Sequence, residues 1–125
     1  MATPLDRSRR LLEEYGAADA CPADILCDRH DPDAVAFTIV DADLSAVDIT
    51  YGRLRTASAG FAAGLAELGV GPGDRVATLM GKGLELVVAQ LAIWRLGAVY
   101  VPLFTAFAAP AVAARLADSA AKVVV

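Results

Sequence analysis

The stretch Gly64 to Phe107, GLAELGVGPGDRVATLMGKGLELVVAQLAIWRLGAVYVPLFTAF, confines this chain to very few folds. A helix runs out at Gly69, a residue suited to the left-handed position just past a helix end, with Val70 folding back onto the helix. Gly71-Pro72-Gly73-Asp74 reads as a tight turn, and Arg75 to Met80 as a short buried strand. Gly81-Lys82-Gly83 turns the chain again. Leu84, Val87, Val88 and Leu91 then recur at helical spacing up to Gly97, and Ala98 to Val101 is the next strand. Helix, strand, helix, strand with short turns is a βαβ unit with a helix leading into it. Such units build parallel sheets through right-handed crossovers.

The flanks extend the pattern. Leu5 to Tyr15 reads as a helix ending at Gly16, and Pro22 to Arg29 as a short second one opened by its proline. Val35–Val40 and Val47–Tyr51 are strands that a polar Asp41–Ser45 segment can join as a hairpin. Thr50 is a fitting N-cap for a helix over Tyr51 to Leu68. Its apolar stripe is Leu54, Ala57, Phe61, Leu65 and Leu68. The capping box is incomplete, because Arg53 stands where a Glu or Gln would answer the cap. Pro110 opens a helix to about Ser119, and Lys122 to Val125 begins another strand. The fold class that follows is α/β, a mostly parallel sheet with flanking helices plus a short β pair near residues 35–51. A valine strand with nothing after it predicts a domain cut within its sheet. It also predicts an open sheet edge through which copies of the chain associate.

Composition excludes several functions. Hydrophobic residues make up 57% and charged residues 21%, enough apolar material for one packed core. With a net charge of −4 and a pI near 4.8, the chain lacks the basic surface that nucleic acid or an anionic membrane requires. Residues 1–16 are charged and carry no secretory apolar core, which points to the cytoplasm. Leu96 to Ala114 is free of charge, but Gly97, Pro102 and Pro110 interrupt it, so a buried strand, loop and helix fit better than a membrane span. Cys21 and Cys27, with His30 as the sole histidine, fall short of the four close-set ligands of a zinc site and read as small packing residues.

No catalytic constellation is visible in these residues. Gly69-Val70-Gly71-Pro72-Gly73 follows a helix and precedes a strand, the reverse of a dinucleotide fingerprint. Gly81-Lys82-Gly83 lacks the first glycine and the hydroxyl of a phosphate loop, since Val76 and Gly83 occupy those positions. Glu13 and Glu14 read as a solvated helix face. Trp94 and Tyr100 read as core and strand aromatics rather than base-stacking platforms.

Four pieces in one order carry more information than any of them alone. They are Thr50-Tyr51-Gly52-Arg53-Leu54, the run Ala63-Gly64-Leu65 to Val76, the helix leading to Gly97 through Leu103, and Val101-Pro102-Leu103-Phe104-Thr105-Ala106-Phe107. From about Asp28 to Val125 the chain resembles the N-terminal region of the adenylate-forming (AMP-binding) enzymes, the acyl-CoA synthetase and ligase superfamily. The last run is most like the acetyl-CoA and medium-chain acyl-CoA branch. Ala108-Ala109 stand where that branch has Gly-Pro, and Gly81-Lys82 where it has a Pro-Asn turn.

The resemblance implies an ATP-dependent acid–thiol ligase that works through an acyl-adenylate. It would use ATP, magnesium, a small carboxylic acid and CoA, with a carrier-protein thiol as the alternative acceptor. The same resemblance makes residues 1–125 the first portion of a truncated AMP-binding domain, inactive alone, whose missing partner is the downstream part of the same enzyme. The family's phosphate loop, hinge and catalytic lysine have no counterpart here, so no catalytic or metal-binding residue is assigned. By resemblance, Phe104, Thr105 and Ala106 form the turn that lies along the CoA nucleotide. A stand-alone binding or dimerisation module is the competing expectation.

Overall fold

The computed structural model describes residues 3–125. In chain order the elements are α1 (Pro4–Tyr15), a π-helical turn (Asp24–Asp28), β1 (Val35–Val40), β2 (Ala46–Thr50), α2 (Tyr51–Glu67), β3 (Arg75–Thr78), α3 (Leu84–Arg95), β4 (Val99–Pro102), α4 (Ala109–Ser119) and β5 (Val123–Val124). β1 and β2 form an antiparallel hairpin. The other three strands form a parallel sheet in the order β4-β3-β5. The α/β architecture expected from the sequence is therefore present, with the β pair and the parallel sheet as separate units. Leu96–Ala114 contains β4, a turn and the start of α4, and no helix among the described residues is long and apolar enough to cross a membrane.

Local chemistry explains the element ends. The Thr50 hydroxyl accepts the Arg53 N–H at 3.2 Å, the half of a capping box that this sequence allows. At the other end of α2, Gly69 takes φ +81°, and the Val70 N–H turns back to the Leu65 carbonyl at 3.0 Å. Val70 is thereby delivered into the core beside Leu65.

The predicted α2 stripe was rotated. Leu54, Ser58, Ala62 and Leu65 are the buried positions, whereas Leu68 is 66% exposed at the C-cap. The reason is α3. Its Ala92 and Ile93 are buried in one cluster with Ala62 and Leu65, and a small residue on each helix lets the two axes approach. One core cluster joins α2 and α3 to Val70, Val76 and Ala98. A second joins Ala23, Cys27, Ile49, Leu54 and Leu91, and seats the hairpin and the π turn on the same helix pair.

The two faces of the parallel sheet are treated differently. Val76, Tyr100 and Val123 point toward the α2–α3 core. The opposite face carries Arg75, whose guanidinium reaches the end of α4. There Val99 and Val124 each remain 48% exposed. Opposite-handed directions of travel, β3 to β4 and then β4 across to β5, place α3 and α4 on opposite faces when both crossovers are right-handed.

Candidate functional site

A parallel sheet offers ligands the crevice beyond the carboxyl ends of its strands. In this chain, β3 and β4 end side by side there. Beyond them lies a cleft of about 170 Å³ between the Met80–Lys82 turn and the Leu103–Thr105 turn. Its floor is Thr78 and Tyr100, whose hydroxyls lie 3.3 Å apart. Leu103 fixes the far wall: its N–H bonds to the Thr78 carbonyl at 2.9 Å and its side chain is buried.

The residues after Leu103 turn outward. The Phe107 N–H closes a tight turn on the Phe104 carbonyl at 3.0 Å, with Thr105 and Ala106 at the two central positions. Phe104 is 62% exposed on the cleft rim and meets Phe107 edge-on at 5.6 Å. The Arg115 guanidinium of α4 lies 4.0 Å over the other aromatic, Phe107. Phe107 is thus held between an aromatic edge and a cation, while Phe104 offers a free face. An exposed aromatic held by a rigid neighbour is a stacking platform for a planar ligand. Lys82, on the facing rim, adds a positive charge.

Ala108-Ala109 have a structural reading as well. Neither Thr105, Ala106, Ala108 nor Ala109 adopts a positive φ. Ala108 is the N-cap of α4 at φ −66°, ψ 153°, a conformation open to any residue, and Pro110 sits in the first turn. Glycine is therefore not required by this loop's backbone.

Sequence reasoning missed a second polar cluster. Asp28, in the π turn, grips Arg95 at the end of α3 through two bonds of 2.5 and 2.6 Å. The Arg95 Nε–H donates to the buried Ser58 hydroxyl at 3.0 Å, and Arg55 approaches Asp28 from α2 at 3.5 Å. The Arg95 hydrogen bonds hold the Asp28 carboxyl below its usual range, and partial burial opposes them more weakly. Burial, with the Asp28 charge behind it, pushes the neighbouring Cys27 thiol up. That leaves the thiol a hydrogen-bond donor, reaching the Tyr51 carbonyl at 3.6 Å.

Such a cluster fastens three elements together and presents no nucleophile. One signal of it was available, since Arg95 is the lone charge in the otherwise uncharged run from Leu86 to Leu96 and must be paired if covered. The cysteines are both free thiols, and among the described residues no three His, Cys, Asp or Glu side chains come together as a metal site. His30 stacks on Tyr51 at 4.4 Å, with Nε2 3.2 Å from the Ile25 carbonyl, as a packing residue does.

The family model described as AMP-binding enzyme matches residues 10–125. The chain belongs to the AMP-binding enzyme family. Among its relatives is the acetyl-coenzyme A synthetase of Chlorobaculum tepidum. That protein is 47% identical over 77 residues, which cover 62% of this chain and 12% of the relative. The acetyl-coenzyme A synthetase of Thiobacillus denitrificans is 39% identical over 100 residues, covering 80% of this chain and 15% of the relative. Among solved structures, the acyl-CoA synthetase of Brucella canis superposes with a TM-score of 0.87 at 34% identity, over 98% of this chain and 23% of that one. The suspected acyl-CoA synthetase branch of the AMP-binding family is thus supported, and the fold is that of part of such an enzyme. This chain spans under a quarter of the length of each of these three proteins.

Proposed function

We propose that this chain is the first layer of an AMP-forming acid–thiol ligase of the acyl-CoA synthetase type, with Phe104, Thr105 and Ala106 lying against the CoA nucleotide. In the first half-reaction a carboxylate oxygen bonds to the α-phosphorus of ATP, and pyrophosphate leaves with the electron pair. In the second, the CoA sulfur, having given up its proton, bonds to the acyl carbon and AMP leaves. Magnesium, when bound, would neutralise phosphate charge in the first step; among the described residues no three His, Cys, Asp or Glu side chains gather to hold it. What these residues contribute is position. The β3–β4 ends set the cleft, Leu103 pins the turn, and Arg115 with Phe107 stiffens Phe104 so that a purine stacks without ordering the loop first.

The reading rests chiefly on the match to the AMP-binding family across residues 10–125. With that match, the 125 residues alone are expected to give no ATP–pyrophosphate exchange with any short or medium-chain acid. Phe104→Ala, made in the enzyme that contains this segment, is expected to raise the KM for CoA about tenfold, the loss of one stacked ring, with the KM for ATP little changed. An unaltered CoA dependence would remove the turn from the site.

A second reading, a self-associating module, draws on the sheet edges at β4 and β5 and on the half-exposed Val99 and Val124. It requires a concentration-dependent dimer at micromolar chain. A strictly monomeric species in light scattering rules against it.

A further inference from the structure

Two hydroxyls close the floor of the cleft beyond β3 and β4. Thr78 is 1% exposed at the end of β3, a covered position where a hydroxyl must be satisfied to be tolerated. Tyr100, on the neighbouring strand, packs its ring on the α2–α3 core and edge-on to Trp94 at 6.2 Å, which fixes where its hydroxyl sits. The two oxygens lie 3.3 Å apart, and neither has another hydrogen-bond partner among the described residues. Two hydroxyls carry two protons, and the one bond between them uses one. Whichever group donates, one O–H is left over at the cleft floor. A covered donor without an acceptor is costly, so the pair is set for an acceptor that a ligand brings.

The rest of the cleft narrows the chemistry. Met80, Leu86, Pro102 and Leu103 line it with hydrocarbon, no carboxylate faces it, and its one charge, Lys82, stands exposed on the rim. An anionic acceptor is drawn to Lys82 at the rim, whereas a neutral one suits the floor. The volume of about 170 Å³ holds about six water-sized groups of about 30 Å³ each. That is room for a slender chain, not for a second ring system beside one stacked on Phe104.

We infer that Tyr100 is a specificity-determining residue: with Thr78, it donates a hydrogen bond to a neutral carbonyl oxygen of a substrate that enters the cleft. In the proposed reaction that oxygen belongs to an amide of the CoA arm or to the acyl group. The inference rests on the reading of Phe104, Thr105 and Ala106 as the turn along the CoA nucleotide, which brings the arm beside the floor.

The test is Tyr100→Phe, made in the enzyme that contains this segment, since it keeps the ring and removes only the hydroxyl. The KM for CoA is expected to rise about three- to tenfold, the worth of one neutral hydrogen bond. The inhibition constant of adenosine 3′,5′-bisphosphate, which has the nucleotide end but no arm, should not change. ATP–pyrophosphate exchange, run without CoA, should also be unchanged, which assigns the carbonyl to the arm. Slower exchange with an unchanged KM for CoA assigns it to the acyl group instead. No change in any of the three overturns the inference. So does an equal weakening of CoA and the bisphosphate, or a loss of all three together, the sign of a loosened fold. Phe104→Ala separates this from the CoA assignment, because that change should weaken CoA and the bisphosphate alike. If it weakens neither, the nucleotide placement fails; if it weakens both while Tyr100→Phe alters nothing, only the role of Tyr100 fails.

Discussion

Asp28 and Arg95, 67 positions apart, form a two-bond carboxylate–guanidinium pair that fastens the π turn to the end of α3. Both groups are more covered than a surface pair, with side-chain exposures of 26% and 16%, and Ser58 occupies the remaining Arg95 donor on that side. Removing one partner leaves the other charge covered and unanswered. That costs about 3–5 kcal/mol for a fully buried pair. Here water still reaches Asp28, so Arg95→Met is expected to cost about 2–3 kcal/mol in urea unfolding. Arg95→Lys should recover only part of the loss, because an ammonium cannot copy the planar fork. Full recovery by Lys would mean that charge alone, not the fork, holds the turn.

The same pair dictates a pH response. The Arg95 bonds lower the folded Asp28 pKa, so the unfolded chain binds that proton more readily. The contribution is fully present above the unfolded value, about 3.9. It is lost as pH falls from there through the lower folded value. Asp74, held low chiefly by Lys122, acts with the same sign. The urea midpoint should therefore drop on acidification below about pH 4, and Asp28→Asn should flatten part of that drop. An acid limb of unchanged steepness would remove Asp28 as a contributor.

Arg75 secures the other side of the sheet. Its guanidinium donates to the carbonyls of Ser119 and Ala120 at 2.9 Å each and of Gly73 at 3.1 Å. It thus caps the end of α4 and holds β5 in register. Arg75→Leu should cost about 1–2 kcal/mol from lost charge-assisted bonds, and hydrogen exchange should show α4 and β5 opening ahead of α3. Uniform loosening across the chain would contradict that local role.

Ala120 is the left-handed cap of α4, at φ 48°. That conformation costs a non-glycine residue about 1–2 kcal/mol. Glycine returns about 0.4–1 kcal/mol of this through the greater freedom of the unfolded chain. Ala120→Gly should therefore stabilise by roughly 0.5 kcal/mol, read as a higher urea midpoint at unchanged slope. A lower midpoint would mean that the alanine methyl contributes packing.

Local chemistry was legible in the sequence: Gly69 and Val70 ending α2, Thr50 starting it, and the proline near the start of α4. These depend on neighbours within a few residues, so spacing and residue type suffice. The parallel strands were legible for the same reason, since a helix between two apolar runs leaves no other short connection. The order β4-β3-β5 needed the structure, as did the rotation of α2 that buried Ser58 and Ala62 while leaving Leu68 in water. Periodicity marks an apolar face but not its centre. The centre is chosen by the helix that packs there, and α3 chose the small residues.

The sequence by itself determined the kinds of element, their order and their ends, because capping, turn and periodicity rules act over single turns of chain. Only the tertiary structure decided what meets across long separations: Asp28 with Arg95, Arg75 with the end of α4, and Phe104 facing Lys82 across one cleft. Those meetings follow from how the layers stack and which side chains fit between them, and no local pattern encodes that.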